Sequence, residues 1–250
     1  MIAPGLSVFE NQRAGGKGLS SHQPPATSLR VDMIISELKP LEELQQALAD
    51  FDKLFLVGCA ACATACKAGG EEEIFKLQEW LAGQEKEVTG SVVIDEACHL
   101  MRAARDLRHH KNAVQGADAL VVLACGSGIQ SISCNVEKRV VGGLNSMFLG
   151  NVRRFGHYEE MCSLCGDCIL NETAGICPVT TCAKGLLNGP CGGMADGHCE
   201  VDADIACAWR LIYERLQSQQ RQGVFARRVP PKNWSRRRQP GRYRLNKGES

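Results

Sequence analysis

The chain has 250 residues, 44% of them hydrophobic, and a formal net charge of +1, so it is long enough to bury one large core or two small ones. Its first residues lack a basic segment followed by an apolar run, and no stretch reaches the roughly 18 apolar residues that a membrane helix requires. We therefore expect a cytoplasmic protein with no membrane partner.

The first part of the sequence divides into a leader and a helix. Residues 1–30 are rich in Gly, Ser, Gln and Pro and show no apolar period, which predicts a flexible leader. Apolar residues then recur at helical spacing, which predicts an amphipathic helix. Its apolar positions are Leu38, Leu41, Leu44, Leu48 and Phe51.

Short apolar runs then alternate with helical segments. The predicted strands are 54–57, 91–94 and 119–123, and the predicted helices are 71–81, 99–112 and one that opens near Gly128. Such an alternation is typical of a parallel, doubly wound sheet, so we predict a small α/β domain over residues 31–155.

Each of the three predicted strands runs into a cysteine. Cys59 follows the first strand, Cys98 the second and Cys125 the third. In a parallel sheet the carboxyl ends of the strands lie at one edge, and ligands gather there. These three cysteines should therefore converge.

The sequence around Cys59 suggests a metal site. Cys59-x2-Cys62-x3-Cys66 supplies three thiolates within eight residues, and Cys98 or Cys125 could provide a fourth. Four thiolates suit a 4Fe-4S cluster, which we favour, and they also suit tetrahedral zinc. We expect Cys134, in a predicted helix, to be a small buried hydrophobe rather than a ligand.

A short glycine pair follows the third predicted strand. Gly126 and Gly128 stand where the strand gives way to a helix, so their backbone amides could hold a phosphate or a cluster sulfide. We predict them as cofactor-binding residues, although a short G-x-G alone is a weak signal.

The second half of the sequence concentrates cysteine in loops. Residues 156–220 contain many Gly, Pro, Asn and Asp residues and little periodicity, which predicts loops folded around metal, closed by a helix over 205–219. Eight thiols suffice for two 4Fe-4S clusters, or for one cluster and a zinc ion. The predicted ligands are Cys162, Cys165, Cys168, Cys177, Cys182, Cys191, Cys199 and Cys207, the last with a structural role as an almost equal alternative.

The end of the chain is basic. Residues 221–250 carry ten Lys or Arg and one acid, so a tail of charge +9 follows a body of charge −8. Such a tail suits nucleic acid or an acidic protein surface, or it is simply a solvated extension. We do not expect nucleic acid to be the partner.

The cysteine pattern makes electron transfer the leading function. Fourteen cysteines in a reducing compartment favour metal or redox chemistry over disulfides. No motif for acid–base catalysis is present, and Asp95, Glu96 and Asp106 are expected to be surface charges, so no catalytic residue is predicted. The alternatives are a zinc-stabilised module whose tail binds nucleic acid and a stand-alone enzyme with a pocket beside Cys125 and Gly128.

Several blocks of the sequence fit one pattern in order, over roughly residues 40–234. These blocks are 57–71, 125–130, Asn145, Gly150, 161–168, 177–184, 188–193, 199–201 and 207–209. With a dozen positions in agreement, they together resemble the methylenetetrahydrofolate reductase C-terminal domain family. Ser146 departs from that family, in which Thr commonly follows the Asn.

The resemblance implies a small iron-sulfur subunit of a methylenetetrahydrofolate reductase complex. Such a subunit carries one to three 4Fe-4S clusters, with zinc as an alternative at one cysteine site. Its expected partner is a flavin-bearing methylenetetrahydrofolate reductase subunit that holds FMN or FAD, and further electron-donor subunits are also expected. Electrons would pass toward that flavin in one-carbon (folate) metabolism.

Overall fold

The computed structural model describes residues 34–154, 156–237 and 239–241, with the backbone alone for 152–154. The predicted leader and the last residues of the predicted tail lie outside this range. Within it, no helix is both long and apolar enough to cross a membrane. In chain order the elements are β1 (Ile34–Leu38), α1 (Leu41–Ala47), β2 (Lys53–Cys59), α2 (Cys62–Ala65), α3 (Glu71–Gly83), β3 (Glu87–Ile94), α4 (Leu100–His109), α5 (Lys111–Gly116), β4 (Ala119–Leu123), α6 (Gly126–Ser133), β5 (Arg139–Gly142), β6 (Leu144–Arg154), β7 (His157–Glu160), α7 (Pro178–Thr181) and α8 (Ala208–Ser218), with 3₁₀ turns at Gln222–Ala226 and Trp234–Arg236.

A parallel sheet forms the centre of the first region. Its four strands lie in the order β3, β2, β4, β5, and all three pairings are parallel. The two middle strands are almost wholly buried, which explains why their sequences are continuous apolar runs without alternation. The predicted α/β class with a small parallel sheet is confirmed.

Helices on this sheet complete the main hydrophobic core. α3, α4, α5 and α6 pack against the strands and place their apolar positions on them. Phe55, Leu56, Leu120 and Leu123 are fully inaccessible to solvent. This region therefore has an extensive buried core made mainly from aliphatic side chains, with Phe55 among them.

A second, antiparallel sheet was not predicted. β6 lies between β1 and β7 and pairs with both in antiparallel orientation. Leu38, predicted as the first apolar position of a helix, instead ends β1, and α1 begins at Leu41 after Pro40. Proline at the residue before a helix separates the strand from the helix, because its fixed φ suits that boundary and it has no N–H to donate.

The region after β7 contains little regular structure. α7 has one turn, and α8 begins at Ala208 rather than at the predicted residue 205. Trp209, Ile212 and Leu216 are buried on one side of α8, as the apolar stripe predicted, whereas Tyr213 is half-exposed. The predicted loop-rich character and C-terminal helix are thus confirmed, but this second core is small.

Candidate metal centres

Four thiols meet at the carboxyl edge of the parallel sheet. Cys59 ends β2, Cys98 follows β3 and Cys125 follows β4, while Cys62 begins the short helix α2 next to Cys59. We call these four residues the sheet-edge thiols. Cys59 and Cys125 are buried, Cys62 is half-buried and Cys98 is exposed.

The sheet-edge thiols are close enough to influence one another's ionisation. Burial raises the pKa of Cys59 above the usual thiol value, and the neighbouring Cys62 and Cys125 raise it further, although hydrogen bonding by the backbone of Ala97 and Ala61 opposes this. Burial also raises the pKa of Cys98, followed by the charges of Cys125 and Cys59. The predicted convergence of cysteines from three strands is therefore seen in the structure.

Tight backbone packing holds the loop that carries Cys59 and Cys62. The Cys59 N–H donates to the Gly69 carbonyl at 2.9 Å, so the loop folds back on the end of β2. A Cβ on Gly58 would lie 2.7 Å from that same carbonyl oxygen, and one on Gly69 would overlap the carbonyl oxygen of Leu123. Glycine is required at both positions because three backbone segments approach so closely.

Hydrogen bonds from α6 and from the residue two positions after its end hold the Cys98 loop. The Ser131 hydroxyl donates to the Cys98 carbonyl at 3.0 Å, and the Asn135 side-chain amide donates to the Leu100 carbonyl at 3.2 Å. An ion pair of 2.8 Å between Arg102 and Glu96 closes the same loop. Cys98 is therefore held in place by its backbone although its side chain is exposed.

Cys66 and Cys134 lie apart from this group. The Cys66 thiol points toward β1, 3.9 Å from the Ile34 carbonyl oxygen, and it lies close enough to Tyr158 to add to the effect of burial, which raises the pKa of that phenol. Cys134 follows the last residue of α6 and is exposed. The expectation of a buried Cys134 is wrong, because α6 ends before it and Ile132 takes the buried position.

The two glycines predicted to bind a cofactor have clear structural roles. The Gly126 N–H donates to the Ser146 hydroxyl at 2.8 Å, so this amide already has a partner. Gly128 is buried, and a Cβ there would lie 2.8 Å from the Cβ of Ala124. Gly128 thus allows α6 to pack closely on β4, and the predicted cofactor contact stays a prediction.

The loop with Cys162, Cys165 and Cys168 is covered by residues 227–237, which we call the strap. Lys232 of the strap places its ammonium 3.5 Å from the Cys165 sulfur and also donates to the Asp167 carbonyl. Arg236 pairs with the Asp167 carboxylate at 3.1 Å. The described part of the basic tail is therefore packed on the cysteine loop instead of extending into solvent.

Cys165 lies in an environment that favours a thiolate. Its burial alone would raise the pKa, but hydrogen bonding with the backbone of Asp167 and with the Lys232 ammonium outweighs burial and lowers the pKa below the usual thiol value. The side chain is only 7% exposed. Thiolate is the form that binds metal, so Cys165 is suited to act as a metal ligand.

Cys177 lies next to this loop. It precedes α7, and the hydroxyl of Thr180 donates to the carbonyls of both Met161 and Cys177, at 3.3 and 3.5 Å. Met161 directly precedes Cys162. The Thr180 hydroxyl therefore links the backbone next to Cys162 to the backbone of Cys177. Cys162 and Cys177 are half-buried and Cys168 is exposed.

The last four cysteines share one small cavity. Cys182, Cys191, Cys199 and Cys207, which we call the pocket thiols, line a space of about 20 Å³ beside Trp209. Cys207 caps the N-terminus of α8, and its N–H donates to the Gly197 carbonyl at 2.9 Å. The four cysteines are thus brought to one cavity by the loops that precede α8 and by the N-terminus of α8.

The donor sets have the composition that metal clusters need, without metal-binding geometry. All fourteen cysteines are described, and none forms a disulfide. Within the described parts of the chain, no group of three or more His, Cys, Asp or Glu side chains is arranged to hold a metal ion. The three cysteine groups therefore fit metal by residue type, number and proximity, while the ligand roles predicted for them stay predictions.

Comparison with known proteins gives one match. Residues 141–235 match the family model described as methylene-tetrahydrofolate reductase C terminal. This part of the chain is similar to that family. No curated protein and no solved structure matches the chain significantly.

The family match covers the second region and most of the strap. It includes Cys162–Cys207, and it extends to residue 235, so Lys232 lies within it. The resemblance seen around Cys59 and Cys125 lies outside the matched residues and stays a prediction. The methylene-tetrahydrofolate reductase C-terminal family thus accounts for the cysteine-rich loops but not for the sheet-edge thiols.

Sequence reasoning missed Lys232 and Asp167 as parts of the site. They lie 65 residues apart, and neither belongs to a cysteine motif. The only signal in the sequence is the location of Asp167 between Cys165 and Cys168. Lys232 carried no signal, because its role depends on how the strap packs on the loop.

Proposed function

We propose that the chain is an iron-sulfur electron-transfer subunit of a methylenetetrahydrofolate reductase complex. It would pass electrons toward the FMN or FAD of a partner reductase subunit. The observation that carries the proposal is the meeting of four thiols from three strands at one sheet edge, beside a region of the reductase family. A site made only of thiolates suits one-electron chemistry at iron and offers no acid or base for catalysis.

Under this proposal the sheet-edge thiols hold one 4Fe-4S cluster, and Cys162, Cys165, Cys168 and Cys177 hold a second. A cluster supplies one-electron oxidation and reduction, and the protein supplies thiolates, a dry environment and hydrogen bonds to sulfur. The pocket thiols share a cavity of only about 20 Å³, which favours a single zinc ion there. Cys66 is left out of all three sets because its thiol points toward β1.

The protonation of the sheet-edge thiols has a direct consequence for metal loading. Because the pKa of Cys59 and that of Cys98 are raised, both are neutral thiols at neutral pH when no metal is bound. Metal binding must release these protons, so affinity at this edge should increase with pH. Cys165, with its lowered pKa, should lose its proton more readily.

Anaerobic purification followed by iron, sulfide and zinc analysis tests the proposal. The wild-type chain should be brown and contain about eight iron atoms, two 4Fe-4S clusters. Cys125→Ser should lose about half of the iron. Cys134→Ser and Cys66→Ser, which change cysteines outside the proposed sets, should keep all of it.

Two outcomes would contradict the proposal. A colourless protein with zinc alone would replace the electron-transfer function by a structural one. Equal iron content in Cys125→Ser and the wild type would remove the sheet-edge thiols from the metal sites, even if the family region kept a cluster.

A further inference from the structure

A second kind of site lies beside Trp209, close to the pocket thiols. A cavity of about 410 Å³ opens between α8 and residues 222–229. Trp209 lines both this cavity and the pocket of the four cysteines. The volume falls within the range of small-molecule sites, roughly 300–1,000 Å³.

The wall of this cavity on the α8 side is apolar and aromatic. Trp209 and Leu216 are almost fully buried and form it together with Val224 and Phe225 of the 222–229 segment. The ring of Phe225 lies 6.1 Å from the Trp209 ring at an angle of 58° and 5.8 Å from the Tyr213 ring at 48°. Such tilted aromatic contacts are favourable, and they link Phe225 to two side chains of α8.

The opposite wall is fixed by hydrogen bonds. Asn188 donates to the Val229 carbonyl at 2.9 Å and accepts from the Val229 N–H at 2.7 Å, so one side chain satisfies both backbone groups. The chain just before this segment is also anchored, because the Arg221 N–H donates to the Leu216 carbonyl and its guanidinium donates to the Asn171 carbonyl. Contacts within the protein therefore hold the cavity walls in place.

The rim of the cavity carries two unpaired positive charges. Arg227 and Arg228 line it, and their guanidinium groups make no hydrogen bond or ion pair with any residue in the described ranges. Among the described residues that line the cavity, Glu172 alone is acidic. Neighbouring arginines elsewhere in this region, such as Arg221 and Arg236, have carbonyl or carboxylate partners, so these two stand out.

We infer that this cavity binds a small organic anion that joins a flat ring system to a carboxylate, phosphate or sulfonate group. The ring packs against Trp209 and Phe225, and the anionic group lies between the guanidinium groups of Arg227 and Arg228. Guanidinium is the side-chain group best matched to the planar, two-oxygen face of such anions. The inference does not depend on which metal the cysteines hold.

A pair of fluorescent probes tests both halves of this site. Anilinonaphthalene sulfonate has a flat ring system and a sulfonate, and N-phenylnaphthylamine has nearly the same rings without the charge. The full-length chain should bind one equivalent of the sulfonate probe, with saturation, and bind the neutral probe more weakly. Energy transfer from tryptophan to the bound probe should accompany binding, because Trp209 forms the wall.

Substitutions then separate charge from apolar packing. Arg227→Gln with Arg228→Gln should weaken binding of the sulfonate probe about tenfold or more and leave the neutral probe unchanged, since about tenfold corresponds to one charge-assisted hydrogen bond. Val224→Trp should fill the cavity and abolish binding of both probes. Arg108→Gln with Arg139→Gln removes the same charge from exposed positions elsewhere and should change neither affinity.

Two results would overturn the inference. One is equal affinity for the sulfonate probe in the wild type and in the variant lacking Arg227 and Arg228. The other is probe binding that Val224→Trp leaves intact, which would place the probe elsewhere. Unchanged circular dichroism and metal content in each variant ensure that loss of binding is not loss of fold.

Discussion

The two regions of the molecule obtain their stability in different ways. Between β1 and β5, two layers of helices and a parallel sheet bury more than twenty apolar side chains, many of them completely. After β7, the buried apolar core consists of Trp209, Ile212 and Leu216 with a few partly buried neighbours. Since burial of apolar surface is the main source of folding free energy, we expect the first region to be stabilised by its own core and the second to need another source.

Metal bound by cysteine is that other source in our proposal. Structural metal sites in small domains contribute on the order of 10 kcal/mol to folding, enough to replace a missing core. In our proposal, the cysteines therefore contribute differently to the two regions. At the sheet edge they use a scaffold that exists without them, whereas in the loops they help to create the scaffold.

The largest effect expected from this comparison follows removal of metal. After oxidative loss of clusters and treatment with a chelator, amide hydrogens in residues 162–216 should exchange many-fold faster, whereas those of β2 and β4 should keep their protection. Hydrogen exchange followed by mass spectrometry measures both regions in one sample. Equal loss of protection in the two regions would show that the sheet also depends on metal.

A smaller effect, confined to the first region, is expected from Leu120→Ala in β4. Leu120 is fully buried, so the free energy of unfolding of the first region should fall by about 2–5 kcal/mol. Metal bound by the pocket thiols should not change. The control Leu41→Ala alters a side chain that is 50% exposed and should shift stability by about 0.5 kcal/mol or less, as measured by urea unfolding.

Should Leu120→Ala also release metal from the second region, the two regions would be energetically coupled. The two regions would then differ in the size of their apolar cores but would unfold together. Urea unfolding followed by tryptophan fluorescence and by cluster absorbance in parallel separates these cases.

The smallest effect is expected from Lys232→Met in the strap. It removes a positive charge and a hydrogen bond at the Cys165 sulfur, so the reduced, more negative form of a cluster there loses stabilisation and its midpoint potential should become more negative. Lys232→Arg should retain most of the wild-type potential. A redox titration followed by electron paramagnetic resonance measures it, and the exposed Lys111→Met serves as the charge control.

An unchanged midpoint potential in Lys232→Met would show that the strap does not influence the redox properties of a cluster bound by the loop. The strap would then serve packing alone, and its removal should show only as faster proteolysis near residue 230.

The parallel sheet could be predicted because its sequence carries a strong local signal. The runs at Leu54–Val57 and Ala119–Leu123 are continuous and apolar, as strands buried on both faces require. The antiparallel sheet could not be predicted, because Leu144–Arg154 lacks both a continuous run and a clear alternation. Its pairing with β1 depends on residues more than a hundred positions away.

The candidate metal sites also have parts that the sequence predicts and parts that it does not. The meeting of Cys59, Cys98 and Cys125 follows from topology alone, since parallel strands end at one edge. The sequence did not predict that the Cys66 thiol points toward β1. The reason is that α2 is only one turn long and ends before Cys66. The cover that Lys232 places over Cys165 likewise depends on tertiary packing that no local pattern specifies.

The contact between Lys232 and Cys165 also sets an order of events during synthesis. The partners are 67 residues apart, so the Cys165 loop leaves the ribosome well before its cover does. Because proteins emerge from the amino terminus at about 5–20 residues per second, the loop stays uncovered for several seconds during synthesis. The sheet edge, in contrast, has its last cysteine at Cys125, so all its thiols are synthesised well before the strap.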